Sequence, residues 1–411
     1  RNDEAQALVI QEAHRPFDLS SDLMLRTRLF HLATTDHILL LVMHHIATDG
    51  WSTDILLDEL SVLYNAEVQH EKPDLPQLPV QYADYALWQR EHLQGSMIER
   101  DLEYWRRQLE GVATLSLPTD RTRDAAEADH HGASVPVSLS TSLADELKRL
   151  GREENATLFM VFLAGLMIML RRYTRQDDIC VGAPIAGRNR SDVENLIGFF
   201  VNMLVLREDL SGEPSFRDFL RSVRNTCLEA YEHQELPFER IVSELQPSRI
   251  RNQNPFFQVT LALQHGGPYS LQIAGLVSER IAIPMEMSKF DLSISAHEST
   301  TGLAVSMQYK TTLFDHSTAQ HMLRYFCHIC EAIAEHPDDS IDSIPLPIDH
   351  ESTERVRALN QTDRSYPRES TVQQEFRKQA TKTPDAIAVV FGGRRMTYGE
   401  LNHQSDQLAH Y

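Results

Sequence analysis

The sequence predicts a mixed α/β protein, because stretches with the apolar pattern of strands are interspersed with stretches that have the apolar pattern of helices. His37 is followed by six apolar positions through residue 43, which is typical of a strand buried on both faces. Residues 158–173 are apolar nearly all round, which predicts a helix at the centre of a core. The 411 residues are 42% hydrophobic and 24% charged, so the chain can bury a sizeable core.

The first segment ends near residue 111 and consists of that strand followed by helices. The helix after the strand has Ser52 or Thr53 available to cap its start. A second amphipathic helix over residues 98–109 carries Trp105. The apolar residues that share one face of the first helix are Leu56, Leu60, Leu63 and Tyr64.

A polar connector over residues 112–133 separates this segment from a second one, which starts near Ser134. Residues 349–370 are polar again and predict a linker, after which a new unit opens at Thr371. Between the connector and the linker, strands are predicted at residues 135–139, 179–183, 256–263 and 304–309, and helices at residues 158–173, at 216–231 after Pro214-Ser215, and around residues 327–330.

The formal net charge of −20 argues against binding to nucleic acid or to an anionic membrane, because both need a basic surface. The longest apolar stretch, residues 158–170, is too short to span a bilayer. The first ten residues lack the basic and apolar regions of a secretory signal. We therefore expect a cytoplasmic protein without a nucleic-acid or membrane partner.

Four cysteines in a chain of this length do not indicate a disulfide framework. Cys327 and Cys330 have the CxxC spacing, but they lie within a helical pattern of apolar residues. No second Cys or His pair follows at zinc spacing. We expect both side chains to pack in a core, and we expect no metal site.

The candidate reaction centre is the run from His44 to Gly50 at the end of the predicted strand. Neighbouring side chains on a strand point to opposite faces, so only one of His44 and His45 can face a given cavity. The same divergence argues against one metal ion bound by both. Asp49-Gly50 suits a tight turn, where Asp49 can hold the backbone or pair with a cation. An imidazole is the natural proton carrier at neutral pH, although a lone buried His at a strand end is more often structural.

The run HHIATDG at 44–50, with Trp51-Ser52 after it, resembles the active-site signature of condensation domains of nonribosomal peptide synthetases, in the chloramphenicol acetyltransferase-like superfamily. Other motifs of that family follow in order, so a chance match is negligible. The likeness continues through residues 288–292 and covers nearly all of residues 1–350. The further motifs are YADYALW at 82–88, IGFFVNM at 197–203 with Arg207, HQELPFE at 233–239 and SRIRNQNPFFQV at 248–259.

This resemblance implies two chloramphenicol acetyltransferase-like lobes that form a V-shaped pseudo-dimer. The first lobe is expected to be incomplete, because the family's first two motifs are missing. The tail resembles the start of an adenylation domain through TPDA at 383–386 and MTYGELN at 396–402. The implied units are a partial N-terminal lobe at 1–125, a C-terminal lobe at 126–348, a linker at 349–370 and the beginning of an adenylation domain at 371–411.

The resemblance also implies an acyltransferase that forms amide bonds. The amine of a carrier-bound aminoacyl group attacks an upstream carrier-bound acyl or peptidyl thioester. The implied partners are upstream and downstream peptidyl carrier domains and the adjoining adenylation domain in the same polypeptide. The carriers deliver phosphopantetheine arms, and no cofactor is bound directly. Trp51-Ser52, HQELPFE at 233–239 and LALQ at 261–264 favour the subtype that joins two L-configured residues, with the D-donor subtype still open.

By the family pattern, His45 faces the reactants, either as a general base for the attacking amine or as a group that positions it. His44 and Asp49 are expected to be structural, and Gly50 permits close approach of the backbone. Trp51, Asn202 and Ser288 are the candidates for lining the substrate channel.

The family places a salt bridge on the motif aspartate, which is Asp49 here. We expect its arginine partner in the missing N-terminal stretch, with Arg26 or Arg28 as candidate substitutes. Two other classes stay open. One is a stand-alone coenzyme A-dependent acyltransferase of the same superfamily, and the other is an inactive scaffold or fragment.

Overall fold

The computed structural model describes residues 2–93, 95–123, 131–245, 253–264, 271–281, 283, 287–299, 302–345, 357, 359–365 and 368–411. The chain forms two compact units, Arg1–Leu346 and Pro347–Tyr411. The predicted boundary between residues 125 and 126 lies outside the described residues, and so does most of the predicted linker. The division into two lobes at that boundary stays a prediction.

Over residues 2–93 and 95–123, the first part of the larger unit forms a two-stranded antiparallel sheet and four helices. Its elements are α1 (Asn2–Ala13), β1 (Leu25–Ala33), β2 (Asp36–Met43), α2 (Gly50–Gln69), α3 (Tyr82–His92) and α4 (Ser96–Gln108).

The prediction that β2 is buried on both faces is wrong. Leu40 is the one side chain of β2 that is buried, and Leu39 is 45% exposed. β2 pairs antiparallel with β1 in a sheet of two strands, and α1 contacts both. A ribbon of two strands cannot bury both faces of a continuous apolar run.

Helix α2 begins one turn earlier than its predicted caps. Asp49 is the N-cap, and its carboxylate accepts a hydrogen bond from the backbone N–H of Ser52 at 2.8 Å. Ser52 and Thr53 therefore lie inside the first turn instead of capping it. The cap fixes Asp49 at the point where the chain enters α2.

The second part of the larger unit is built on a six-stranded mixed sheet in the order β3-β8-β7-β6-β4-β5, in which β6 runs parallel to β4 and β7. The helices pack against this sheet. The elements are β3 (Gly132–Ser140), α5 (Thr141–Glu153), α6 (Leu158–Thr174), β4 (Asp178–Ile185), β5 (Asn202–Asp209), α7 (Phe216–Glu232), α8 (Phe238–Leu245), β6 (Val259–Gln264), β7 (Leu292–Ser299), β8 (Gly302–Lys310) and α9 (His316–Glu335).

Helix α6 is the centre of the core, as its apolar composition predicts. Every residue from Met160 to Leu170 is buried. Cys327 and Cys330 on α9 lie in the same core, which confirms the prediction that they pack there, and Cys227 on α7 also lies in it. Burial raises the pKa of the Cys227 and Cys327 thiols to about 12, so both are protonated at neutral pH.

Among the described residues, no single helix is long and apolar enough to cross a membrane. Only α5 and α6 taken together, across a bend of 101°, reach that length and composition.

Over residues 368–411, the smaller unit forms a two-stranded antiparallel sheet and two helices. Thr371 and Thr397 cap the two helices through capping boxes. The elements are α10 (Val372–Lys382), β9 (Ile387–Phe391), β10 (Arg394–Thr397) and α11 (Tyr398–His410).

Candidate active site

His44 and His45 lie in a turn that follows β2, and not on the strand itself. The strand ends at Met43, and the His44 carbonyl accepts the N–H of Ala47 at 3.0 Å. The His44 N–H still donates to the carbonyl of Met24 at 3.0 Å, which anchors the turn to β1's side of the ribbon. The expectation that strand alternation directs the two imidazoles to opposite faces is therefore wrong. Their different surroundings follow from the turn.

His45 is exposed, and one of its ring nitrogens is committed to the backbone. Its Nδ1 lies 2.5 Å from the carbonyl oxygen of Thr48. A carbonyl oxygen can only accept, so Nδ1 carries the hydrogen in the neutral imidazole. The lone pair is therefore on Nε2, and the exposed side chain can offer it to a substrate.

His44 is half-buried and bonded differently. Its Nδ1 accepts the backbone N–H of Ile46 at 3.0 Å, and its ring meets the edge of Phe17 at 5.6 Å between centroids. This nitrogen is used within the turn and the ring is used in packing. Both contacts agree with the structural role expected for His44.

Asp49 has an arginine partner within this chain, so the prediction that its partner is missing is wrong. Its Oδ1 lies 3.2 Å from Nη2 of Arg188, and both side chains are 1% exposed. Arg26 and Arg28 pair instead with Glu12. Arg188 was overlooked because it lies outside the motifs quoted from the sequence.

Arg188 also holds the loop that follows β4. It donates to the carbonyl oxygens of Val193 and Leu196, each at 2.7 Å, and its guanidinium lies 4.0 Å from the centre of the Phe200 ring. Burial lowers its pKa from the usual value, while the Asp49 carboxylate opposes that shift. The ion pair therefore ties the start of α2 to residues 193–200.

Ser52 and Asp49 hold the two sides of Phe199. The fully buried Ser52 hydroxyl donates to the Gly198 carbonyl at 2.8 Å and accepts the Gly198 N–H at 3.0 Å. Oδ2 of Asp49 accepts the N–H of Phe200 at 3.0 Å. The Phe199 ring then meets the His45 ring edge-on at 5.2 Å between centroids. The sequence placed Phe199 within a motif but gave no sign of this contact.

Gly50 and Trp51 lie at the first turn of α2. A Cβ atom on Gly50 would meet nothing within 4 Å among the described residues, so packing does not require a glycine there. The open space leaves room for a substrate to approach the backbone. Trp51 is 48% exposed, and its indole N–H donates to the Glu194 carbonyl at 3.0 Å.

Of the two remaining channel candidates, Asn202 lines a cleft beside Phe199 and also makes structural contacts, whereas the contact of Ser288 is structural. The Asn202 amide donates to the carbonyls of Gln234 and Leu236, and its oxygen accepts the N–H of Phe238. Ser288 is fully buried and donates to the Phe290 carbonyl at 2.7 Å. A fully buried hydroxyl cannot line an open channel, which corrects the expectation for Ser288.

No group of three or more His, Cys, Asp or Glu side chains is placed to hold a metal ion in the part of the chain that the structure describes. The site as a whole brings one exposed imidazole against a loop held by a buried ion pair. That arrangement can accept and return a proton at a fixed position.

Comparison with known proteins gives matches along the whole chain. The family profile described as "Condensation domain" matches residues 1–354. One linear gramicidin synthase polypeptide of Brevibacillus parabrevis is 44% identical over 415 residues, which cover 100% of this chain and 8% of that protein. The chain thus spans a small fraction of the length of this relative.

Two solved structures have similar folds. The X-domain from teicoplanin biosynthesis is 27% identical, with a TM-score of 0.77 over 84% of this chain and 79% of that one. A four-domain nonribosomal peptide synthetase bound to AMP and glycine is 20% identical, with a TM-score of 0.75 over 100% of this chain and 32% of that one. The second likeness is one of fold alone. Both confirm the α/β, chloramphenicol acetyltransferase-like fold expected from the motifs.

Proposed function

The chain belongs to the condensation-domain family of acyltransferases, and on that premise we propose that it joins a carrier-bound aminoacyl acceptor to an upstream carrier-bound acyl or peptidyl donor. The bond formed is an amide, and the bond broken is the thioester of the donor. The hydrogen bond from His45 Nδ1 to the Thr48 carbonyl is the observation that carries this proposal. It presents the basic Nε2 on an exposed side chain.

The reaction needs a group that takes up one proton and then releases it. The acceptor nitrogen attacks the thioester carbonyl carbon, and the carbonyl electron pair moves to oxygen. Nε2 of His45 accepts a proton from the attacking nitrogen. When the carbonyl re-forms, the carbon–sulfur bond breaks and the thiolate takes the proton back from His45. Transfer of this kind contributes about 10²- to 10⁴-fold in rate, and tethering of both reactants adds to it.

The proposal includes the surroundings of the domain. Upstream and downstream peptidyl carrier domains deliver the substrates on phosphopantetheine arms. The unit Pro347–Tyr411 begins an adenylation domain of the same polypeptide. The motif ending in Trp51-Ser52 favours the subtype that joins two L-configured residues. The protein is cytoplasmic. Similarity to linear gramicidin synthase polypeptides over the whole chain supports a place within a much longer synthetase polypeptide.

The proposal is tested by single-turnover condensation with excised carrier domains loaded with donor and acceptor, with the product measured by mass spectrometry. His45→Ala should lower the rate by at least about 100-fold. His37→Ala, which removes an exposed histidine from the strand that precedes the turn, is the matched control and should leave the rate unchanged. A His45→Ala rate within about threefold of the unaltered chain would refute the proposal. Efficient transfer from free coenzyme A thioesters would favour the stand-alone acyltransferase instead.

A further inference from the structure

A cleft lined by aromatic side chains lies next to His45, and Phe199 separates the two. Its cavity volume is about 190 Å³, and it opens to solvent. Helix α3 forms one side, and residues 199–202 together with several side chains from within 187–193 and 234–239 form the other. A cavity of about 150 Å³ is enough to bind benzene. The cleft is therefore large enough for one aromatic ring.

The inner wall of the cleft is aromatic. The Tyr85 ring lies 4.7 Å from the Phe200 ring, and the Tyr82 ring meets Phe200 edge-on at 5.2 Å. Phe200 is buried, while Tyr82, Tyr85 and Trp88 are half-buried and keep part of their surface towards the cleft. These faces offer ring-to-ring contact of the offset or edge-on kind.

Most charged groups of the cleft are engaged with one another. The Arg190 guanidinium lies 4.3 Å from the centre of the Trp88 ring and pairs with Asp192. His92 stacks on Trp88 at 4.6 Å and its Nε2 lies 3.2 Å from Glu235. These pairs lie around the aromatic wall as a polar rim, and the exposed Glu239 completes it. An aromatic interior with a charged rim fits an apolar planar ligand better than an ion.

Phe199 connects this cleft to the reaction centre. Its ring lines the cleft and also contacts the His45 ring. Its backbone is held on both sides by Ser52 and Asp49, and its carbonyl accepts the Tyr82 hydroxyl at 2.7 Å. A reactant whose carbonyl or amine lies at His45 therefore has the aromatic wall within one side chain's reach.

We propose that this cleft binds an aromatic side chain of one of the two residues being joined, with Tyr85 as a residue that determines the preference. The inference rests on the proposed condensation reaction, because it is that reaction which brings an aminoacyl group to His45. The chemistry is the same whether the side chain belongs to the donor or to the acceptor.

The test measures binding, so that it does not depend on turnover. Isothermal titration calorimetry compares pantetheine amides, which lack the reactive thioester, carrying phenylalanine or alanine. N-acetylated probes represent the donor and probes with a free amine represent the acceptor. The phenylalanyl probe should bind about tenfold more tightly than the alanyl probe, either among the donor probes or among the acceptor probes. The reason is that a buried ring contributes more to binding than a methyl group. The pair that discriminates identifies the source of the side chain.

Variants of α3 connect this preference to the cleft. Tyr85→Ala should bring the two affinities to within about twofold, while Tyr85→Phe keeps the ring and the preference. Leu87→Ala, which alters an exposed residue of the same helix, is the matched control. Equal affinities in the unaltered chain, or no binding by either probe, would overturn the inference. So would an equal weakening of both probes by Tyr85→Ala, which would indicate that the cleft holds the pantetheine arm.

The proposed function and the role of the cleft are tested by different results. Condensation that depends on His45 without side-chain discrimination removes the inference and keeps the function. Discrimination in binding without condensation by the unaltered chain removes the function and keeps the cleft only as a binding site for an aromatic side chain.

Discussion

The side chains of Asp49 and Arg188 are each 1% exposed, so solvent cannot take the place of either partner in the ion pair. Nε of Arg188 is also buried without a hydrogen-bond partner among the described residues. Such a pair is costly to bury and far more costly to break, because the remaining charge has nothing to offset it. The pair fixes Asp49, which directly follows Thr48. The carbonyl of Thr48 in turn holds the His45 ring. The effect of the pair on the reaction is therefore one of position.

Arg188→Ala should lower the free energy of unfolding by about 3–5 kcal/mol and reduce condensation, since it leaves Asp49 buried and unpaired. Arg188→Lys keeps the charge but loses the planar set of donors, so its loss should be smaller. Urea denaturation measures both. Arg106→Ala, which breaks an exposed ion pair with Glu103, is the control and should change little. An Arg188→Ala variant as stable as this control would contradict the role given to the pair.

Glu208 gives a prediction about pH. Burial raises the pKa of this carboxyl above its ordinary value of 4.5, although Ser222 donates to it at 2.8 Å. Below pH 4.5 both folded and unfolded states hold the proton, and the group has no effect. As the pH rises towards the folded pKa, only the unfolded state releases its proton, so stability falls.

Glu208→Gln removes that dependence. Its free energy of unfolding, relative to the unaltered chain, should increase from about pH 4.5 and level off above the folded pKa. Between the unfolded and folded pKa values, this difference in the free energy of unfolding should grow by about 1.4 kcal/mol for each pH unit. Denaturation across a pH series measures this difference. Glu110→Gln, at an exposed position, serves as the control. A difference that does not vary with pH would show that the carboxyl titrates normally.

At the residue scale, the sequence identified His45 and Asp49 but missed the groups that position them. Asp49 and Arg188 are separated by 139 residues, and no local spacing connects them. Phe199 was inside a quoted motif, yet its contact with His45 depends on a loop held from another part of the chain. Residue type and local pattern predict chemistry; the partner of a buried charge depends on the tertiary fold.

At the scale of elements, burial was predicted correctly where an element is covered by the core on all sides. Helix α6 is apolar on all sides and is buried on all sides. Helix α7 begins after Ser215, which caps it as Pro214-Ser215 predicted. β2 has an equally apolar sequence but one partner strand and little cover. Apolar composition predicts the strand, whereas burial depends on how many neighbours the strand has.

Helix α2 also anchors a segment without regular structure. The Asn65 amide donates to the Gln272 carbonyl at 2.9 Å, and its oxygen accepts the Ala274 N–H at 2.6 Å. The Ser61 hydroxyl accepts the Gln272 N–H at 3.1 Å. One side chain thus pairs with the segment at 271–281 much as a neighbouring strand would.

Asn65→Ala should release that segment locally. Loss of two neutral hydrogen bonds, each about 1 kcal/mol, should speed amide exchange of the peptide over 271–281 at least about fivefold. Hydrogen exchange with mass spectrometry measures it. Glu67→Ala, at an exposed position on the same helix, is the control. Unchanged exchange in Asn65→Ala would show that the side chain does not hold the segment.

At the scale of the whole molecule, the first and second parts of the larger unit are joined by buried polar contacts. Besides the Asp49–Arg188 pair, the indole N–H of Trp105 donates to the His233 carbonyl at 3.1 Å. Nδ1 of His233 lies 2.7 Å from the Asp101 carboxylate. These contacts join residues on the two sides of the predicted lobe boundary, so the two parts should unfold together.

Two probes can test that expectation. The three tryptophans, at positions 51, 88 and 105, all lie in the first part, whereas helical circular dichroism reports both parts, α1–α4 together with α5–α9. In urea, fluorescence and circular dichroism should give coincident transitions. Separate midpoints would show that the parts unfold independently. The class of fold was predictable from alternating apolar patterns, but this coupling was not, because it depends on contacts distant in sequence.

The proton-accepting role of His45 is tested most directly by chemical rescue. His45→Ala leaves a space beside an exposed turn, into which imidazole can diffuse. In single-turnover condensation, added imidazole should restore a large part of the rate, while pyrazole, which has a similar shape and is a much weaker base, should not. Equal rescue by both would show that the site needs a ring and not a base. A His45→Ala variant that needs no rescue would remove His45 from the reaction.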